Sequence, residues 1–419
     1  MKFFLTAIGT RGDVEPFVGI GAILLRQGHE VSGAFPEQYR DLAESEGITF
    51  HSLGSEFIEL IDGELGRAVM GGGMKGIAKI KALIKLAKES RALNKEMLLI
   101  QEEVVSSYQP DIIIHHTKAL YPTIWAVDHP DQTLLVSPTP YLHYSKGHTH
   151  VAFHSDWGTA LNKLSYKIAH FGLRKTIQSC SKWTQTPRSR KEILHVLNTQ
   201  RVVYSLSPYL FTRPTNWSER ISIEGYVERD KQLRYSPPSD LVDFLERHER
   251  VLFITFGSMS NPDPVAKTNS LLRVLHAHRI PAIINIAAGG LVSDQESDPT
   301  LIYYLDRIPY DWILPRVHAI IHHGGSGTTH LGLKYACPTM IIPHIPDQYV
   351  FDQMIEERGL GPRGVQISKL STETITDKII DLYQNESYLQ KAKEISTEML
   401  AETVEENILS IISDLAPPN

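Results

Sequence analysis

With 419 residues, 42% of them hydrophobic and 21% charged, the chain is long enough for two domains and has the make-up of a water-soluble globular protein. A formal net charge of −6 argues against nucleic acid as the main partner, and two widely separated cysteines, Cys180 and Cys337, exclude a disulfide framework and fit a reducing cytoplasm. No run approaches the ~20 apolar residues of a membrane span, and Met1–Ile8 is too short for a secretory h-region, so a cytoplasmic location is expected.

In chain order, residues 2–8 read as a buried strand, Gly9–Asp13 as a loop and Glu15–Gln27 as an apolar-periodic helix. His29–Phe35, Asp111–His115 and Thr133–Ser137 are further short β-rich runs separated by helical stretches, the pattern of parallel strands with crossovers. Residues 67–95 carry Arg67, Lys75, Lys79, Lys81, Lys85, Lys88, Arg91 and Lys95 against the single acid Glu89. Such a segment is either a solvated basic helix face or a peripheral contact with anionic membrane. His143, His148, His150, His154 and His170 fit no metal-ligand spacing; with Tyr141, Tyr144, Phe153 and Trp157 they read as a partly aromatic wall.

The pattern then restarts. Ser207–Ser239, with Pro208, Pro214, Pro237 and Pro238, reads as a linker, and Val251–Phe256, Ala282–Ile286, His318–His322 and Thr339–Ile342 read as strands. Helical stretches lie around 264–278, 326–335 and 347–358, and a last helical stretch runs from Ser387 to Leu415. The expected division is an N-terminal domain over 1–210, a linker over 211–240, a second domain over 241–395 and a C-terminal helix and tail over 396–419. Gly19-Ile20-Gly21 lies too late in its helix for a dinucleotide fingerprint.

Chemistry concentrates in strand-to-helix loops. In Ile320-Ile321-His322-His323-Gly324-Gly325-Ser326-Gly327-Thr328-Thr329 a strand meets glycines and then a helix start, where free amides favour an anion. The amides of Ser326, Gly327 and Thr328 and the His322 imidazole would suit a diphosphate. Asp13 before Val14-Glu15-Pro16, and Asp347 before its helix, are each also good N-caps.

The Gly-rich stretch, with Pro343-His344-Ile345-Pro346-Asp347-Gln348 downstream, resembles the nucleotide-sugar signature of the UDP-glycosyltransferase superfamily, in particular its bacterial and sterol-glucosylating branches. Gly9-Thr10-Arg11-Gly12-Asp13-Val14-Glu15-Pro16, Phe256-Gly257-Ser258-Met259 and Ile308-Pro309-Tyr310-Asp311-Trp312 are similar to family motifs in family order, so the resemblance covers most of residues 1–360. It implies an α/β GT-B fold, with two Rossmann-like domains whose parallel sheets face an interdomain cleft and a C-terminal helix that crosses back.

The resemblance further implies an inverting, metal-independent transferase. A hexose or deoxyhexose would pass from a UDP- or dTDP-sugar to a small hydrophobic acceptor held by the N-terminal domain, such as a sterol, polyketide, terpenoid, flavonoid or lipid-like aglycone. Asp13 would be the general base, with Thr10 and Gly12 beside it on the donor. His322, Gly324, Ser326, Gly327, Thr328 and Ser258 would hold the diphosphate, Ile308 would face the base, and Asp347 with Gln348 would bind sugar hydroxyls. Arg307 replaces the base-stacking tryptophan of plant members, His330 their ribose-binding glutamate, and Pro346 a glycine common in relatives. A nucleotide-sugar 2-epimerase and a non-catalytic activator share the fold. The base and Asp-Gln motifs argue against the first, and the intact base and phosphate loop against the second.

Overall fold

The computed structural model describes residues 1–63, 76–153, 156–229, 235–259, 261, 263–286 and 289–415. The chain divides into two compact units, Met1–Leu65 with Ile77–Asp230 and Thr403–Asn419, and Gly66–Gly76 with Lys231–Glu402.

The first unit is built on seven strands: β1 (Lys2–Thr6), β2 (Glu30–Phe35), β3 (Thr49–Ser52), β4 (Ile112–His115), β5 (Thr133–Ser137), β6 (Arg201–Tyr204) and β7 (Ile221–Ile223). They form one parallel sheet in the order β3-β2-β1-β4-β5-β6-β7. Side chains alternate across a strand, and both faces here are apolar. Phe3, Leu5, Ile112, Ile114, Leu134 and Val136 pack with the helix Arg11–Arg26 and with Ile408 and Ile412 of the helix Val404–Ser413. Phe4 and Ile113 point the other way, onto Met97, Leu98, Ile177 and Ile193.

The second unit has five parallel strands, β8 (Leu252–Thr255), β9 (Ala282–Asn285), β10 (Ile302–Leu305), β11 (Ala319–His322) and β12 (Thr339–Ile341), in the order β10-β9-β8-β11-β12. Leu252, Ile254, Ile284 and Ile321 face the helices Pro264–Ala277 and Thr372–Gln384, while Phe253, Ile283 and Ile320 pack on Phe244 and Leu331.

Three expectations change. The stretch 211–240, expected as a linker, holds β7, and Val227 beyond it is buried in the first core. A three-residue strand among prolines leaves no periodicity to read. The stretch Ser387–Leu415 is two helices, Glu386–Leu400 on the second unit, where the Ser396 hydroxyl bonds the Lys334 carbonyl at 2.6 Å, and Val404–Ser413 in the first. The strands β3, β6, β7 and β10 are four residues or fewer, three of them at sheet edges, and escape a pattern search. Gly19 and Gly21 have a packing reason: a side chain there would press on Val227 and Glu228, or on Ile48 and Leu5. The basic stretch 67–95 lies partly outside the described residues. Its described part belongs to the helix Gly76–Tyr108, with Lys81 and Lys85 exposed.

Beyond β7 the chain is pinned by charge. The Arg229 guanidinium meets Glu15 at 2.9 Å and Glu46 at 2.8 Å, with Glu15 nearly buried and also paired to Arg11 at 2.9 Å. Removing one partner of a buried pair leaves the other charge desolvated. Arg229→Met should therefore destabilise the first unit by about 3 kcal/mol, read as a lowered denaturant midpoint of its unfolding transition.

Candidate functional site

In a parallel sheet the carboxyl ends of all strands lie on one edge, and a crevice opens where the strand order reverses. That reversal falls between β1 and β4 in the first sheet and between β8 and β11 in the second. The loops that leave these strands carry most of the site residues expected from sequence.

In the first unit Thr10 is the N-cap of Arg11–Arg26, which places Gly12 and Asp13 inside the first turn. Asp13 is thus not the cap. Its carboxylate reaches back instead, and Oδ2 accepts the Thr10 amide at 2.8 Å and the Thr10 hydroxyl at 3.3 Å. The Lys118 ammonium donates to the same oxygen at 3.0 Å, and His116 Nε2 stands 3.4 Å from Oδ1. Gly9, with φ of 138°, leaves room for this cluster, because a side chain there would strike the Asp13 carboxylate and the Lys118 ammonium. Burial acts to raise the Asp13 pKa. The charge of Lys118, the neighbouring His116 and the hydrogen bonds from Lys118 and Thr10 outweigh it and hold the carboxyl below its usual 3.8. Burial drives His116 down to about 4, so this imidazole is neutral at pH 7 and Lys118 is the cation facing Asp13. Neither His116 nor Lys118 was expected from the sequence. They follow β4, which lies next to β1 only because of the sheet order.

In the second unit β11 ends at His322. The Gly324 amide donates to His322 Nδ1 at 3.0 Å, so the ring's proton sits on Nε2, and this buried N–H has no protein partner among the described residues. Burial pushes the pKa of His322 down to about 3, which keeps the ring neutral. Gly324, with φ of 93°, makes the turn; a Cβ would lie 2.6 Å from Ile341 Cγ2 and 3.1 Å from Gln348 Cβ. Gly325 caps the helix Ser326–Lys334, whose first backbone hydrogen bond runs from Thr329 to Gly325 at 3.0 Å. The amides of Ser326, Gly327 and Thr328 therefore have no partner within the helix. His330 Nδ1 lies 2.7 Å from the Ser326 carbonyl, one turn back, with the ring buried and its pKa lowered to about 4.

Ser258 is exposed in a turn closed by the Met259 amide on the Phe256 carbonyl at 2.9 Å, and Gly257 beside it packs against the His323 ring. Ile308 is buried on Phe253, Ile313 and Leu331. Ile345 occupies the N-cap of the helix Pro346–Glu357, so Asp347, half-buried in the first turn, is not the cap either. Gln348 is buried, and its Oε1 accepts the His344 amide at 2.7 Å and the Ile345 amide at 3.2 Å. The structure thus gathers His322, Gly324, Ser326–Thr328 and Gln348 around one strand end, with Ser258 on the adjoining loop.

The two strand ends share a property that no motif announced. His115-His116 closes β4 and His322-His323 closes β11, the same place in each sheet order. Each of these four rings has one buried nitrogen without a hydrogen-bond partner, four of the ten such side-chain atoms among the described residues. An unsatisfied buried polar group costs about 1–3 kcal/mol, so both crevices carry polar capacity that folding does not use. Of the histidines after Tyr141, His143 bonds Tyr204 at 2.7 Å and His148 stacks on Tyr141, as part of an aromatic cluster with Phe211 and Trp217; His154 lies outside the described residues. Among the described residues no group of three or more His, Cys, Asp or Glu side chains is placed to hold a metal ion.

Two doubly wound units of this kind define the GT-B class. Residues 3–123 match the glycosyltransferase family 28 N-terminal domain, and residues 278–415 match the C-terminal domain of erythromycin biosynthesis protein CIII-like chains. A sterol 3-beta-glucosyltransferase of Arabidopsis thaliana is 27% identical over 415 residues, covering 90% of this chain; the chain spans 60% of that relative's length. Among solved structures, the glycotransferase of kitacinnamycin aligns with a TM-score of 0.72 at 14% identity, covering 99% of each chain. The glycosyltransferase SsfS6 of Streptomyces sp. SF2575, solved with thymidine diphosphate, aligns with a TM-score of 0.60 at 17% identity, again covering 99% of each chain. The two halves of the chain thus match two glycosyltransferase domain families on a GT-B fold, and the whole is similar to sterol glucosyltransferases.

The Asp13 cluster has a pH signature. Its folded pKa is depressed, so its stabilising contribution is full above the unfolded value and is lost as pH falls through the folded one. The difference in unfolding free energy between wild type and Asp13→Asn should be constant above about pH 5 and shrink at lower pH. In a Lys118→Met background burial is opposed by less positive charge, so the difference should shrink at a higher pH. Denaturant titrations across pH 3–7 would check both, and identical profiles in the two backgrounds would contradict the Lys118 assignment.

Proposed function

We propose that the chain is an inverting glycosyltransferase that moves a hexose or deoxyhexose from a UDP- or dTDP-sugar to a hydroxyl of a sterol-like or other hydrophobic acceptor. The observation that carries this reading is the buried Nε2–H of His322, without a partner among the described residues, at the strand end that opens into the helix-start amides of Ser326, Gly327 and Thr328. A neutral donor beside a helix N-terminus suits a diphosphate, whose negative charge the helix end also favours. The two glycosyltransferase domain matches and the similarity to a sterol 3-beta-glucosyltransferase support the same reaction class.

In this reading the acceptor oxygen attacks the anomeric carbon, the bond from that carbon to the diphosphate oxygen breaks on the opposite face, and configuration inverts. Asp13 takes the acceptor's proton. Its anionic form is present throughout the neutral range because Lys118 and Thr10 favour it. Thr10 and Gly12 begin the same helix and leave the carboxylate at its first turn. The diphosphate leaves onto His322, the amides of 326–328 and the Ser258 hydroxyl, so its charge is met by protein dipoles and no divalent metal is required. The backbone around Ile308 faces the nucleobase. Asp347 binds hexose hydroxyls, while Gln348, whose carbonyl holds the loop, offers its amide NH2.

Incubating the chain with UDP- and dTDP-sugars and a panel of sterols and aglycones in EDTA, with mass spectrometry of products, tests the proposal. A glycosylated acceptor is expected. Activity only with added magnesium or manganese would overturn the metal-free step, and an epimerised nucleotide sugar without acceptor would replace the reaction class.

Two variants separate the roles. Asp13→Asn keeps an oxygen for the Thr10 amide but loses the basic carboxylate, so turnover should fall roughly 10²–10⁴-fold while diphosphate binding by calorimetry is retained. His322→Ala should do the reverse, weakening diphosphate binding by about 1.5–3 kcal/mol. Unchanged affinity would show His322 to be a structural residue.

A further inference from the structure

The first half of the helix Thr159–Cys180 is inside out. Its inward face there is polar: Asn162 and Ser165 are buried, the Ser165 hydroxyl accepts the His150 amide at 2.8 Å, and the Tyr166 hydroxyl donates to the Thr149 carbonyl at 3.1 Å, whereas Ile177 and Cys180 at the far end of the helix join the first unit's core. Its outward face is apolar. Leu161, Leu164, Ile168 and Phe171 recur at helical spacing, and with Trp157 just before the helix each is between 43% and 53% exposed. These five are half of the ten large hydrophobic side chains exposed among the described residues. A contiguous patch of this kind marks a surface that something apolar covers.

Charge identifies what covers it. The exposed lysines Lys163 and Lys167 flank the stripe on one side, and Lys175 stands at its end. No Asp or Glu occurs from Trp157 to Lys191, in a chain with 48 acidic residues and a net charge of −6. Trp157 at one end and Phe171 at the other are residues that suit a headgroup boundary. A second copy docked on the same face would bring two sets of these lysines into one interface with no acid between Trp157 and Lys191 to offset them, because a two-fold interface joins the same patch on both subunits. An anionic bilayer meets both demands, with hydrocarbon for the stripe and phosphate for the ammonium groups.

We infer that the face formed by Trp157, Leu161, Leu164, Ile168 and Phe171 with Lys163, Lys167 and Lys175 docks the protein peripherally on an anionic lipid bilayer. The helix lies in the plane of the interface, with its apolar side chains at the level of the upper acyl chains. This membrane contact stands on the helix 159–180, not on the basic segment 67–95, and it is independent of the sugar-transfer reading because its readout contains no transfer.

The test is co-sedimentation of the 419-residue chain with phosphatidylcholine vesicles that contain or lack phosphatidylglycerol. The chain should pellet with the phosphatidylglycerol vesicles and be released by salt. Ile168→Asp, alone or with Leu164→Asp, should cut the partition coefficient by about tenfold or more. Lys167→Gln should cut it roughly fivefold. The positions are exposed, so thermal melts of the variants should match wild type. Failure of the wild-type chain to pellet, or equal pelleting by Ile168→Asp, would overturn the assignment. So would a wild-type dimer by light scattering that Ile168→Asp turns into a monomer, which would give the face to a second copy.

Discussion

Both units depend on one constraint: in each sheet the fourth strand in sequence lies beside the first. Parallel strands require crossovers, and this order sends the two central loops to opposite faces. Everything polar in the two crevices follows from it. Asp13 meets Lys118 across a sequence separation of 105 residues because β1 adjoins β4, and Gly257 meets His323 because β8 adjoins β11. The two crevices nevertheless differ in electrostatics. One holds an ion pair with its carboxylate kept anionic, the other a neutral imidazole beside helix-start amides without a partner in the helix.

At two helix starts a carboxylate that suits an N-cap, Asp13 in one and Asp347 in the other, lies inside the helix instead. Thr10 and Ile345 take the cap positions, and the residues at the third helical position, Asp13 and Gln348, reach back to them. The reach-back consumes one oxygen of Asp13 and the only carbonyl of the Gln348 side chain. Each loop is therefore rigid before any ligand arrives, the preorganisation that positioning of reacting groups requires.

The strands β1, β4, β5, β8, β9, β11 and β12 were legible because they are largely apolar runs with their side chains buried. The edge strands β3 and β7 were not, because Thr49-Phe50-His51-Ser52 and Ile221-Ser222-Ile223 are too short and too mixed to carry a period. The Gly-rich loop and the Asp13 motif stood out as local patterns. Lys118 and His116 did not, because their meaning comes from a neighbour in space. The helix 159–180 shows a further limit: its sequence displays an apolar stripe, which by habit is assigned to the core, and only burial reveals that the stripe faces outward.

The return of the helix Val404–Ser413 to the first unit has a consequence for biosynthesis. Ile408, Ile412 and Leu415 complete the core that Phe3 and Leu5 begin, and Glu405 and Asp414 pair with Arg26 and Arg201. A ribosome makes Phe3 first and Ile412 more than four hundred residues later. During that interval the nascent first unit lacks one wall and exposes apolar surface, while the intervening residues 231–402 can fold as soon as they emerge. The part synthesised second is thus able to mature first. Translation that stops before residue 404 leaves the amino-terminal sheet open on one side, a natural substrate for chaperones and proteases.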